Sequence, residues 1–292
     1  MLLSIIFSII ALGGGAATFF LVFYPEWAWI WVWPLSTLLY FFLLLLVYLI
    51  YVAIFAVVYA KFSGKVPEKP RPYGMFILSQ TSWILIRIFG GWPTFSGWGK
   101  LPPIKKKFCL VSNHVSGWDH IGLMAFMSGR RFVCVSKEEN MNVFGAGGWM
   151  TYTGYPYLKQ GDIKGGAEVV ERAGKLIKDD ICSVAIAPEG TRNKAFPEPM
   201  ILPFHPGSFQ MAVEAKCPIV VIAIQNTNAL MKRFPKPTRL YYDCVAVLEY
   251  EDYKDMSLAE IATYCHDRIL DRLEKKSSRI YHFKKKEEES PK

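Results

Sequence analysis

No charged residue occurs between Leu2 and Phe23, and none between Leu35 and Ala60. Each gap exceeds the roughly 20 residues needed to cross a hydrocarbon core of about 30 Å, so two membrane spans are expected in place of an ordinary soluble fold. The first stretch also lacks the basic residues that open a secretory signal, and a second apolar stretch follows directly, which argues against cleavage. The connection between the spans, residues 24–34, carries four Trp and one acid but no base, whereas Lys61, Lys65, Lys69 and Arg71 follow the second span. By the positive-inside rule the N-terminus and everything after Ala60 are expected on the cytoplasmic side, with the Trp cluster in an interfacial belt.

Several chemical signatures are missing as well. The six cysteines, Cys109, Cys134, Cys182, Cys217, Cys244 and Cys265, form no C-x-x-C pair and lie mostly in apolar runs, so reduced core residues are expected and neither a disulfide nor a zinc site. There is no H-E-x-x-H, no G-x-G-x-x-G and no G-x-S-x-G. These absences leave a metal, a dinucleotide and a serine-elbow hydrolase without support. The formal charge of +9 is not gathered into a groove-reading motif; the basic residues follow the second span and fill the tail, so anionic lipid is the expected partner and nucleic acid is not.

What is present divides the chain. Residues 1–61 read as a transmembrane hairpin. Residues 62–103 form a Pro-rich linker followed by Met75–Phe89, an apolar stretch interrupted by Ser79, Gln80, Thr81 and Ser82 and carrying only Arg87 as a charge. It is too short and polar for a third span and reads as an interfacial helix, with a core helix as the alternative. From 104 to 283 short apolar runs alternate with amphipathic segments. Strands are expected at 108–112, 132–136, 182–187, 218–224 and 239–248, and helices at 118–128, 166–178, 209–215 and about 257–275. This pattern predicts an α/β domain with a mixed, largely parallel sheet flanked by helices. The charged tail, 284–292, is expected to be disordered.

Two constellations carry chemistry. The first is Asn113-His114-Val115-Ser116-Gly117-Trp118-Asp119, directly after an apolar strand. Five positions on a continuous helix would set His114 and Asp119 about 140° apart, so they can meet only at a strand-loop-helix junction. There a carboxylate can hold one imidazole nitrogen and leave the other free to take a proton from a hydroxyl. The second is Pro188-Glu189-Gly190-Thr191-Arg192 after the strand at 182–187. A Gly at the carboxyl end of a sheet strand permits close backbone approach, and Arg192 offers a planar fork suited to a phosphate ester. Ser116 invites a Ser-His-Asp triad, but it lies only two positions from His114 in a tight loop, and a local cap is the simpler role. His120, His205, His266 and His282 show no partner pattern and read as structural or surface residues.

Together the two blocks resemble the glycerolipid (lysophospholipid) acyltransferase family, which carries N-H-x-S-x-x-D and, some 70 residues later, E-G-T-R. The resemblance covers Phe108 to Ile224 and implies an enzyme that moves an acyl group from acyl-CoA or acyl carrier protein, with no cofactor, to the sn-2 hydroxyl of lysophosphatidic acid. It implies His114 as base, Asp119 as its orienting partner, and a substrate-binding set of Asn113, Ser116, Glu189, Gly190, Thr191 and Arg192. The family's third region is similar to Lys137-Glu138 leading through Gly145, Gly148 and Gly154 to Lys159, which adds Lys137 and Lys159 on the acceptor. Lys159 stands where the family usually has an Arg, so another lysophospholipid acceptor is the alternative. A lipid-binding membrane protein without turnover is the reading from a different class.

Overall fold

The computed structural model describes residues 1–26, 29–158 and 163–288. In chain order its elements are α1 (Leu2–Thr18), α2 (Val32–Phe62), α3 (Pro72–Ile88), β1 (Gly91–Ser96), β2 (Cys109–Ser112), α4 (Trp118–Phe126), β3 (Phe132–Cys134), β4 (Ser136–Lys137), α5 (Gly147–Thr153), β5 (Tyr157–Leu158), α6 (Ile163–Lys178), β6 (Ser183–Ile186), α7 (Gln210–Ala215), β7 (Ile219–Gln225), α8 (Leu230–Arg233), β8 (Thr238–Leu248), α9 (Tyr250–Tyr253) and α10 (Leu258–Glu288). They fall into two compact units: Met1–Lys65 with Met141–Tyr152, and Val66–Asn140 with Thr153–Lys292.

In the first unit α1 runs on through a π-helical turn at Phe19–Phe23, and the hairpin pairs through small residues. Gly14 lies against the Tyr40 ring, and a Cβ on Gly15 would stand 2.1 Å from Thr37 Oγ1 and 2.9 Å from the Trp33 carbonyl oxygen. Close backbone approach of this kind is how apolar helices associate where lipid removes the hydrophobic drive between them. Leu2–Phe23 and Val32–Phe62 are both long and apolar enough to cross a membrane, and only 17% of the most apolar window of each is buried. A helix from a soluble core would be mostly covered.

The second unit is built on a six-stranded sheet in the order β1-β8-β7-β2-β6-β3. β7, β2, β6 and β3 run parallel, β8 is antiparallel to β7, and β1 is parallel to β8. The sheet is thus mixed and largely parallel, as expected. β2, β6 and β7 are buried at every position, as continuous Val/Ile/Ala/Leu runs require when helices cover both faces. β1 was not expected: Gly91 and Pro93 disfavour a strand, but β1 is an edge, where a missing N–H breaks no ladder.

Two expectations about segments need correction. The segment read first as an interfacial helix is α3, and the core-helix alternative describes it: Gly74, Met75, Ile77–Ser82, Ile84 and Ile86 are buried. Its polar run is accommodated because Thr81 Oγ1 donates to the Ile77 carbonyl at 2.8 Å and Gln80 Nε2 donates to Ser128 Oγ at 3.1 Å. The last helix, expected to end near Lys275, continues to Glu288, so residues 284–288 of the tail expected to be disordered are helical, in keeping with the helix propensity of Lys and Glu, and 289–292 lie outside the described residues.

Candidate active site

The carboxyl ends of the four parallel strands bring the two sequence blocks together. β2 ends at Ser112, and Asn113 is fully buried beside it. Its amide donates to the Ile224 carbonyl at 2.9 Å and accepts from the Ile224 N–H at 2.8 Å, locking the start of the loop to β7. The chain then turns into α4 with Asp119 in the first turn, 1% exposed. One oxygen of Asp119 accepts from the Val115 and Ser116 N–H groups at 2.7 and 2.8 Å and faces His114 Nδ1 at 2.8 Å. The other accepts from the Thr227 hydroxyl. Because the carboxylate accepts, Nδ1 carries the hydrogen, and Nε2 is left with a lone pair and no hydrogen-bond partner among the described residues. The His114 side chain keeps 15% of its surface open. This is the strand-loop-helix junction that the spacing of the pair requires.

The second block follows β6. Glu189 is 3% exposed and joins two loops: Oε1 accepts from the His114 N–H at 2.6 Å and Oε2 from the Leu202 N–H at 3.0 Å. The Asn193 N–H donates to the His114 carbonyl at 2.7 Å, so the peptide groups on both sides of His114 are held from this block. Burial pushes the Glu189 carboxyl up to about 7, against the two N–H donors and the nearby His114, which favour its charged form. Gly190 takes φ +65, and a Cβ there would sit 3.2 Å from the His205 ring, so the turn favours Gly. Thr191 and Arg192 are exposed, and the Arg192 guanidinium has no ion pair or hydrogen bond among the described residues.

This arrangement redistributes the expected binding set. Asn113 and Glu189, expected to bind substrate, are buried with their polar atoms engaged by backbone, where they brace the loops. Ser116 Oγ accepts from the Trp118 N–H at 3.2 Å, the local role that competed with a triad. Gly190, Thr191 and Arg192 are exposed beyond the carboxyl end of β6. Lys137 lies half-buried on β4, just past β3 and paired with Leu158. Lys159 lies outside the described residues.

Two neighbours were missed. Thr227, fully buried two residues beyond β7, reaches Asp119 from an adjacent parallel strand, a placement that the strand order supplies and the sequence does not. His120, read as structural, has its ring 4.8 Å from that of His114, and desolvation together with His114 pushes it down to about 4. It therefore stays neutral near pH 7. His266 pairs with Asp267 at 3.1 Å on the surface, and all six cysteines are buried. Among the described residues no group of three or more His, Cys, Asp or Glu is placed to hold a metal ion.

With these contacts in view, the comparison with known proteins has a structural counterpart. Residues 94–225 match the Acyltransferase family. The matched stretch opens within β1, closes with β7 and contains both blocks, so the acyltransferase resemblance extends earlier than the motifs alone indicate. The 1-acyl-sn-glycerol-3-phosphate acyltransferase of Saccharomyces cerevisiae is 26% identical over 178 residues, 58% of this chain and 56% of that protein. The Haemophilus influenzae enzyme of the same name is 25% identical over 166 residues, 56% of this chain and 67% of that one. The human 1-acyl-sn-glycerol-3-phosphate acyltransferase beta is 33% identical over 120 residues, 41% of this chain and 42% of that protein. The chain thus spans between 42% and 67% of the length of these relatives. In fold it is similar to the crystal structure of the 1-acyl-sn-glycerophosphate (LPA) acyltransferase PlsC from Thermotoga maritima, with a TM-score of 0.56, 17% identity and coverage of 70% of this chain and 79% of that one.

Proposed function

We propose that this protein transfers a fatty acyl group from acyl-CoA or acyl carrier protein to the sn-2 hydroxyl of lysophosphatidic acid, giving phosphatidic acid. The observation that carries the reading is the 2.8 Å contact between His114 Nδ1 and buried Asp119, which leaves Nε2 without a hydrogen-bond partner among the described residues, with exposed Arg192 following the adjacent strand β6. An acceptor alcohol is too weak an acid to attack a thioester unaided near neutral pH, and a base oriented by a carboxylate contributes about 10²–10⁴-fold. In the proposed step Nε2 takes the hydroxyl proton as the oxygen attacks the thioester carbonyl. The tetrahedral intermediate then expels the thiolate, the carbon–sulfur bond breaks, and His114 returns the proton to sulfur.

Arg192, with Lys137 and Lys159, is assigned to the acceptor phosphate, where a guanidinium provides a bidentate match and an ammonium a point charge. In this reading the hairpin anchors the enzyme in a membrane, and the Lys and Arg residues after the second span support a cytoplasmic location for the remainder by the positive-inside rule. The named relatives support this reaction class. Lys159, in a position the family usually fills with Arg, favours a second reading in which the acceptor is another lysophospholipid.

A panel of acceptors and donors with purified protein distinguishes the two. The main reading expects lysophosphatidic acid to be the preferred acceptor and Arg192→Ala to raise its KM with little change in kcat. Preference for a lysophospholipid bearing a larger headgroup would favour the second reading, and no transfer to any acceptor would remove both.

A further inference from the structure

Met141–Tyr152, between β4 and β5, belongs to the hairpin's unit and is fastened to α2 by specific contacts. A Cβ on Gly148 would stand 1.9 Å from the Ala56 carbonyl oxygen, so this glycine lies directly on the helix backbone. Next to it Trp149 is fully buried; its indole N–H donates to the Val52 carbonyl at 2.9 Å and its ring stacks on Phe55 at 4.0 Å. Tyr152 meets Phe55 and Tyr59 edge-on at 5.1 and 5.2 Å. These contacts lie well inside α2. Ala56 and Val52 precede Lys61 by five and nine residues, about 8 and 14 Å along the axis at 1.5 Å per residue.

Before this anchor the chain turns at Gly145, with φ +73, and exposes Val143 and Phe144, which are 48% and 80% open. From Val143 to Met150 no side chain is charged, and Trp149 alone has a hydrogen-bonding side-chain group. That group is already satisfied by a carbonyl of α2. These side chains therefore carry almost no desolvation penalty in hydrocarbon, whereas an open phenylalanine in water gains nothing. On α2 itself Leu46, Val47, Ile50 and Ile54 are exposed.

We propose that Met141–Tyr152 is a third membrane-contacting element, which inserts Val143 and Phe144 among the acyl chains of the leaflet bordering Lys61. The inference rests on α2 spanning a bilayer, and its occupant is lipid, because the segment packs on α2 well inside that span and its exposed side chains are apolar. It gives the stretch that follows Lys137 in the chain a role in lipid contact that neither sequence block carries.

Cysteine placement tests this directly. All six native cysteines are buried, so a thiol-reactive environment-sensitive fluorophore will label an introduced surface cysteine in the folded protein. Single labels at Phe144→Cys, Val143→Cys, Leu46→Cys and Glu251→Cys are compared in mixed phosphatidylcholine and phosphatidylglycerol vesicles containing lipids spin-labelled at shallow or deep acyl positions. The proposal expects blue-shifted emission and quenching at 143 and 144 comparable to that at 46, with none at 251. Quenching at 46 alone would overturn the insertion while leaving the span in place. No quenching at 46 would remove the span, and the proposal with it.

Discussion

At the scale of single residues, the site works by exhausting the alternatives open to one carboxylate. Asp119 accepts two backbone N–H groups and the Thr227 hydroxyl, so it has one remaining useful contact, the imidazole of His114. Thr227→Val keeps the shape of that side chain and deletes the donor. Losing a buried hydrogen bond to a charged group costs about 1–3 kcal/mol, so kcat is expected to fall about tenfold, with Thr227→Ser close to wild type. A steady-state comparison of the three proteins checks this; equal kcat for Val and Ser would show that Thr227 does not position Asp119.

Glu189 makes a second prediction at this scale, in stability. Its carboxyl is raised from 4.5 to about 7 in the folded state, so the fold holds the proton more tightly than the unfolded chain does. The contribution of this group is complete below about pH 4.5 and is lost as pH rises through about 7, a change on the order of 3 kcal/mol. Melting in detergent of wild type and Glu189→Gln should therefore show wild type at its relative best at pH 5 and losing ground by pH 8. A difference that is constant with pH would rule this out.

At the scale of elements, the helix that carries Asp119 is set by an unusually close neighbour. A Cβ on Gly122 would come within 1.7 Å of the buried Tyr242 hydroxyl, which itself donates to the Trp118 carbonyl at 3.2 Å. Gly122→Ala must displace either α4 or the tyrosine. Overpacking of this kind costs about 1–3 kcal/mol, a fall of several degrees in Tm, and it should lower acyl transfer because Asp119 rides on the same helix. An unchanged melting curve would show that α4 has slack.

How much of this was legible in the sequence follows from the range of each interaction. The junction that pairs His114 with Asp119 was readable because five residues cannot bring two side chains to one helix face. The buried strands were readable because β2, β6 and β7 are apolar without alternation. α3 was misread because Ser79, Gln80 and Thr81 look solvated until their hydrogen bonds to Phe76, Ser128 and Ile77 are seen. The bracing by Glu189 and the contact from Thr227 were not readable, since their partners lie far along the chain or on a neighbouring strand whose order only the fold sets.

At the scale of the whole molecule, two different solvents are written into one chain. The hairpin exposes Leu, Ile, Phe and Val along both helices, which suits hydrocarbon, while the sheet unit buries the same residue types beneath helices. The net charge of +9 adds attraction to an anionic lipid surface, and the proposed substrate and product are themselves anionic lipids. A base acting on such an acceptor should be assayed where the lipid is, in membranes that carry the full chain.

The most direct measurement is therefore incorporation of labelled acyl chains from an acyl thioester into phosphatidic acid by membranes carrying equal amounts of wild type or His114→Ala. The proposed chemistry expects the variant to lose at least about 10²-fold in rate, the contribution typical of a positioned general base. Equal incorporation by the two membranes would contradict the assignment of His114 as the base and the reaction built on it.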